Sequence, residues 1–249
     1  MSHFFNFPLN YEYDHHAYDN SVSPRIVDND ANDNDYNTYS TSKDLIFQTH
    51  GDDLTDNSRI THLFIKCKGV TNYTIAVPSG KGTGTGLTNQ TIPADQVIGD
   101  IQHDLRSVGP LMASEVQLTV TGTDTEIYEV LFLQSLFELE NGYQGIQLQY
   151  VDPGASIQQN INGTRFKVGG LSDRFKHETS FVAFFSLDTP NDGSDLIKAL
   201  QTYDNFTFAE EFEEWPDRVY PALLSSPIGV EYVGRVFHQR RISFSISEA

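Results

Sequence analysis

Hydrophobic and polar positions alternate with period two along much of this chain, which predicts strands. In residues 115–122 the alternation places Val116, Leu118 and Val120 on one sheet face and polar residues on the other. Residues 127–139 form the most apolar run. Its length admits a helix, but its β-branched and aromatic content and the strand before it favour a buried strand. Upstream, apolar runs at 44–49 and 61–67 flank a turn-rich 51–58 segment, and 72–78 continues the alternation. In the arm of residues 1–40, only Arg25-Ile26-Val27 predicts a short strand.

Downstream, 145–151 alternates strictly and 157–170 reads as a strand with turns. Residues 175–187 are expected to pair with 157–170, and 205–209, 230–233 and 242–247 are further strands. One helix interrupts them over 194–203, with Ser194 as its N-cap and Leu196, Ile197 and Leu200 at helical spacing. The expected class is therefore all-β, mainly strand with one short helix. At 249 residues the chain has room for two domains, one large β-sandwich being the alternative. The turn at Asn141-Gly142 divides an acidic domain, 1–140, from a second domain, 141–249.

Charge supports that division. Twenty acidic and 7 basic residues precede Asn141, against 14 and 9 from it onward, within a net charge of -18. Such a field repels phosphate backbones, so nucleic acid is not an expected partner. No run approaches the length of a membrane span, and the amino terminus lacks a basic, apolar signal pattern. Without a secretory signal, the Asn-x-Thr matches at Asn72, Asn89, Asn162 and Asn205 are read as chance. The single cysteine, Cys67, forbids an intrachain disulfide and reads as a buried strand residue.

Several segments carry residue types that could support chemistry. The run 28–35 offers clustered carboxylates and amides, yet Asp33 and Tyr39 stand where a calcium loop requires Gly and Glu, so it reads as a solvated turn. The glycine-rich stretch 79–86 carries Lys81 but no phosphate-loop pattern, and reads as a mobile loop. Eight histidines (His3, His15, His16, His50, His62, His103, His177 and His238) fit no metal-ligand spacing. Glu210, Glu211, Glu213 and Glu214 beside Trp215 suit a glycan hydrolase superficially, and a solvated or partner-facing acidic patch better. The sequence thus singles out no catalytic, cofactor-binding or metal-ligating residue, and no cofactor.

The order of elements in the second half resembles a β domain of tailed-bacteriophage tail-tip and baseplate proteins. The resemblance rests on Gly163-Thr164-Arg165-Phe166, the 174–187 strand, the 194–203 helix, Phe206-Thr207-Phe208, the loop 215–221 and the closing strand 241–246. The first half is similar in layout to phage domains of galactose-binding, jelly-roll type. The resemblance implies two sandwich or jelly-roll-like domains in a non-enzymatic virion protein of the tail, made in the host cytoplasm. It also implies homo-oligomeric assembly in a ring or spike with other tail proteins. A carbohydrate-binding or host-adhesion module is the alternative, with Tyr11, Tyr13, Tyr18, Tyr36 and Tyr39 as candidate contacts to a host glycan.

Overall fold

The structure is a computed structural model that describes residues 2–6, 16–33, 37–48, 59–139, 147–151, 156–159, 165–168, 176–187, 193–202, 206–210, 212–233 and 239–248. It is mostly β. Its first strands are β1 (Ser2–Asn6), β2 (His16–Asp19), β3 (Ile26–Val27), β4 (Asp44–Gln48) and β5 (Arg59–Ala76). There follow β6 (Gly82–Thr83), β7 (Leu87–Gln90), β8 (Val97–Ile98), β9 (Ile101–Ala113) and β10 (Glu115–Leu139). The remainder comprises β11 (Gln147–Val151), β12 (Ser156–Gln159), β13 (Arg165–Val168), β14 (Lys176–Ser186), α1 (Ser194–Thr202), β15 (Phe206–Ala209), β16 (Val219–Leu224), β17 (Gly229–Val233) and β18 (Gln239–Glu248). Among the described residues no helix is long and apolar enough to cross a membrane.

Backbone contacts divide the chain into two units, Met1–Glu138 with Thr207–Val219, and Leu139–Phe206 with Tyr220–Ala249. The first crossing falls two residues before the boundary expected at 140. The segment 207–219, assigned by sequence to the second domain, belongs to the first. The reason is aromatic packing within the first unit: β15 pairs antiparallel with β1, matching Phe4 to Phe208, whose rings lie 5.0 Å apart. Phe212 and Val219 join Phe5, Phe64, Leu131 and Leu133 in one buried cluster.

Within the first unit β10 is the central strand, pairing antiparallel with β4 through Glu115–Thr119 and with β5 through Gln117–Leu133. β4 pairs on with β2, and β2 with β3; β5 pairs with β7 and β9. Along β10, Val116, Leu118 and Val120 are buried and Gln117, Thr119 and Thr121 more exposed, as the alternation predicts, although Glu115 is buried as well. From Glu129 to Leu133 every residue is buried. There Val130 and Phe132 face one core cluster, and Leu131 and Leu133 the other. That two-sided burial explains why 127–139 reads as a continuous apolar run.

The glycine-rich stretch is more ordered than its composition suggests. Gly82–Thr83 pairs with Met112 and Ala113, and Ser114 N donates to Lys81 O at 2.8 Å. Gly86 holds φ +63 with Ile75 O only 2.1 Å from where a Cβ would sit. Glycine is required here for close approach of backbones, and not for mobility.

In the second unit β14 pairs with β11 on one side and β18 on the other, and β18 also takes β16 and β17. β12 and β13 pair with each other, and among the described residues β14 does not pair with 157–170 as expected. Phe181 and Phe244 occupy opposed positions of β14 and β18, their rings stacked at 4.9 Å. α1 packs Leu196, Ala199 and Leu200 inward; of the predicted face Leu196 and Leu200 are buried, whereas Ile197 is half-buried and Ala199 takes the third inward position. Ser194 is its first helical residue rather than its cap. The carbonyl of Gly193 accepts from Ile197 N, and Ser194 Oγ instead accepts from Arg240 Nη1 at 2.9 Å.

Candidate binding site

Between Thr121 and Glu126 β10 loses register with β5. Gly69 of β5 holds φ +68, with Thr123 O 2.4 Å from the position of a missing Cβ, and Asp124 holds φ +49. The bulge takes residues 123–125 out of the ladder, which resumes at Glu126 opposite Lys68, the kind of irregularity that re-aims side chains near functional sites. The arm is tied to the same place by backbone bonds. Ser40 and Ile127 exchange both N–H···O bonds at 2.9 Å, and Val120 N donates to Lys43 O at 2.9 Å.

These two tethers assemble an open hollow of about 390 Å3 lined by Tyr39, Thr41, Lys43, Asp124, Thr125 and Glu126. The Tyr39 ring is 42% exposed and tilts against that of Tyr128, with centroids 5.5 Å apart. Tyr128 Oη donates to Glu126 Oε2 at 2.5 Å, and Lys68 Nζ lies 3.7 Å from the same oxygen. That hydrogen bond, with burial second, pushes the Tyr128 hydroxyl up to about 12. Lys66 Nζ lies 5.7 Å from the Tyr128 ring centre, and Lys43 Nζ donates to Gly122 O at 2.9 Å.

Two other ionic clusters of the first unit serve the fold. Asp104 is buried on β9 and accepts from Tyr73 Oη at 2.7 Å and Arg106 Nη2 at 2.8 Å. Arg106 also donates to the Gln90 side chain and to Thr91 O. Burial raises the Asp104 carboxyl against the opposing hydrogen bonds and charge of Tyr73 and Arg106. Glu115, also buried, meets Lys81 Nζ at 2.7 Å, Gln48 Nε2 at 2.9 Å and Arg25 Nη1 at 3.5 Å. Burial pushes Glu115 up, but these partners outweigh it and hold the carboxyl below its ordinary value. Lys81 is thus an ion-pair partner of the sheet.

The remaining candidates fall as follows. Asp28 Oδ2 accepts from Ser40 Oγ and Asp33 Oδ2 from Thr38 Oγ1, which makes 28–33 a turn bonded to the arm. Among the described residues no group of three ligating side chains stands close enough to hold a metal. His3 lies 3.6 Å from Glu138 Oε1, His62 contacts Thr61 Oγ1, and burial lowers both imidazoles. His103 is buried near Phe64 and held down to about 4, by burial first and by Lys66 second. Glu210 is buried, with Oε1 3.3 Å from Arg218 Nη1, whose guanidinium stacks 4.2 Å from the exposed Trp215 ring. Glu213 and Glu214 lie exposed at the surface, so the described residues of the acidic run do not converge on one buried site. Tyr18 lies half-buried on β2. Tyr11, Tyr13, Tyr36, His15, His50, His238, Asn162, Asn205 and Glu211 lie outside the described residues, as do the side chains of His16 and His177.

Cys67 is buried, its thiol pushed up to about 12 by burial first and by the charge of Asp104 second. Since the thiolate is the reactive form, Ellman's reagent is expected to leave the folded chain unlabelled and to react with this one thiol after denaturation. Rapid reaction of the native chain would contradict the burial.

Of the site residues, only Tyr39 carried a sequence signal, as one of several arm tyrosines. Lys43, Asp124 and Glu126 are joined to it by the Ser40–Ile127 bridge, a pairing across 87 positions that no local pattern announces. Compared with protein-family models, with curated proteins and with solved structures, the chain finds no match in any of the three.

Proposed function

We propose that this chain is a non-enzymatic structural component of a bacteriophage tail, at the tip or baseplate, which works by protein–protein assembly. The observation that carries this reading is the edge of the second unit. β17 pairs with β18 and, among the described residues, with no other strand. It leaves Val230 45% and Tyr232 68% exposed on one face. Soluble proteins blunt their edges with charge, proline or a covering element because an open edge recruits another strand. β17 carries one charge, Glu231, engaged by Arg241 Nη1 at 3.1 Å, while its other face displays Val230 and Tyr232, which suits an added strand from a neighbouring subunit whose backbone pairs while its side chains meet those two. The short edge strand β3, with Ile26 and Val27 exposed, offers the first unit a similar surface. The resemblance of the sequence to tail-tip domains, in its order of elements, suggests the virion context.

The test is immunogold labelling of particles released from cells that carry this sequence. Label is expected at the tail end, and Val230→Lys with Tyr232→Lys is expected to abolish incorporation without lowering the melting temperature of the purified chain. Particles free of label, or full incorporation of the double variant, would overturn the reading.

A further inference from the structure

We propose that residues 207–219 form an acid-released strap: protonation of the histidines that it covers frees it from the face of β5, β9 and β10, while the sheet beneath stays folded. Strap and sheet both belong to the first unit. Phe64 of β5, Leu105 of β9 and Leu131 and Leu133 of β10 supply the apolar part of that face. The strap seals it with Ala209, Phe212 and Val219, and the Phe212 ring stands edge-on to Phe64 at 6.4 Å. Beside these apolar side chains stand histidines. His62 lies two residues before Phe64 and His103 two before Leu105, so both share this face, and His3 of β1 stands opposite Ala209 of the strap. All three histidines whose side chains are described therefore gather at one seam. The His62 ring lies 5.1 Å from Phe5 and 6.4 Å from His3, and the His103 ring 6.4 Å from Phe64, centre to centre.

The seam accommodates neutral imidazoles. Among the described residues, Nδ1 of His3 and Nδ1 of His103 are buried with no hydrogen-bond partner. A proton there creates a charged N–H with no acceptor, which burial penalises. Facing charges do not reverse this. His103 meets Lys66 of β5, which repels its proton, and Asp217 of the strap, which attracts it. Glu129 of β10 stands opposite Lys66 in register. His3 meets Glu138 of β10 and Glu213 of the strap, with the amino terminus opposing them, and His62 meets Glu138 and His3. Burial is the largest influence on each imidazole and lowers all three, His103 to about 4. Release returns water to the seam, where an imidazole takes its proton near the ordinary 6.5. Between 6.5 and the lower docked values the released form holds more protons, so docking is complete above 6.5 and is lost as pH falls through that window. The opening stays local because the other face of the sheet packs a larger apolar core around Ile65, Val130 and Phe132, away from the three histidines.

Amide hydrogen exchange of the full chain, read by mass spectrometry at pH 7 and pH 5 and corrected for the intrinsic rate, tests the strap. Its opening constant is expected to rise by about tenfold or more between the two, because His103 alone supplies about that much across this range. Peptides from β5, β9 and the part of β10 that pairs with β5 are expected to keep their protection. His103→Gln should lose about tenfold of the response. The triple variant His3→Gln, His62→Gln, His103→Gln should hold the strap closed at pH 5, with a thermal melt at pH 7 as the control for folding. Equal strap exchange at the two pH values in the wild-type chain would overturn the proposal. So would loss of protection from β5, β9 and β10 together with the strap, or a folded triple variant that opens as the wild type does.

Discussion

Phe132→Ala is expected to remove about 3–5 kcal/mol of stability from the first unit, the largest loss of any single truncation considered. Phe132 is buried in the second half of β10, opposite Leu63 of β5, with its ring edge-on to Phe47 of β4 at 5.1 Å. It therefore joins all three strands, and alanine would forfeit the transfer energy of the ring and leave a cavity that flanking strands close poorly. Trp215 is the only tryptophan and lies in the segment that belongs to this unit, so its fluorescence during urea unfolding reports the relevant transition. A loss below about 1 kcal/mol would show that the site collapses freely and that β10 is not the keystone described.

The second large effect is expected at Asp104. Asp104→Ala should cost about 3 kcal/mol, because it strands the Tyr73 hydroxyl in the core and takes away the carboxylate that pairs with Arg106, which keeps only its neutral acceptors on Gln90 and Thr91. The figure is at the lower end for a broken buried pair, since the Arg106 side chain keeps 23% exposure and can turn to water. Asp104→Asn retains an acceptor for both partners and should cost less than half as much. The two variants also separate on pH. Burial raises the folded carboxyl above the ordinary aspartate value of 3.8, so between those two values the folded chain holds a proton that the unfolded chain has released. Stability from this position is greatest below that window and declines as pH rises through the folded value. Wild type should show this decline and Asp104→Asn should not, as urea midpoints from pH 3 upward would reveal.

Asp104 also explains what the sequence concealed. β9 spans 13 residues, yet no strand was read there, because His103, Asp104 and Arg106 interrupt the apolar alternation and Gly109-Pro110 mimics a turn. The buried positions of β9 include two polar residues, and the partner that makes Asp104 tolerable, Tyr73, lies on a different strand. Where burial was apolar on one face, as at Val116, Leu118 and Val120, or on both, as at 129–133, the pattern was legible. The all-β class and the helix followed from it. Pairing partners did not, because alternation specifies which face is buried but not which strand lies alongside. The same limit hid the hollow at the β10 bulge, whose lining residues come from two segments joined by one bridge.

The way the first unit reclaims residues 207–219 carries a consequence for how such a gene can be cut and inherited. The polypeptide passes between units three times, after Glu138, after Phe206 and after Val219. A fragment ending near 140 would lack the strand that covers β1 and the Phe212 side chain of its own core, so it cannot stand as an autonomous module. Recombination at a single point within the chain would separate a unit from part of itself. Exchange between genomes therefore has to move both units together, and their surfaces are expected to diverge as a linked pair rather than as interchangeable parts.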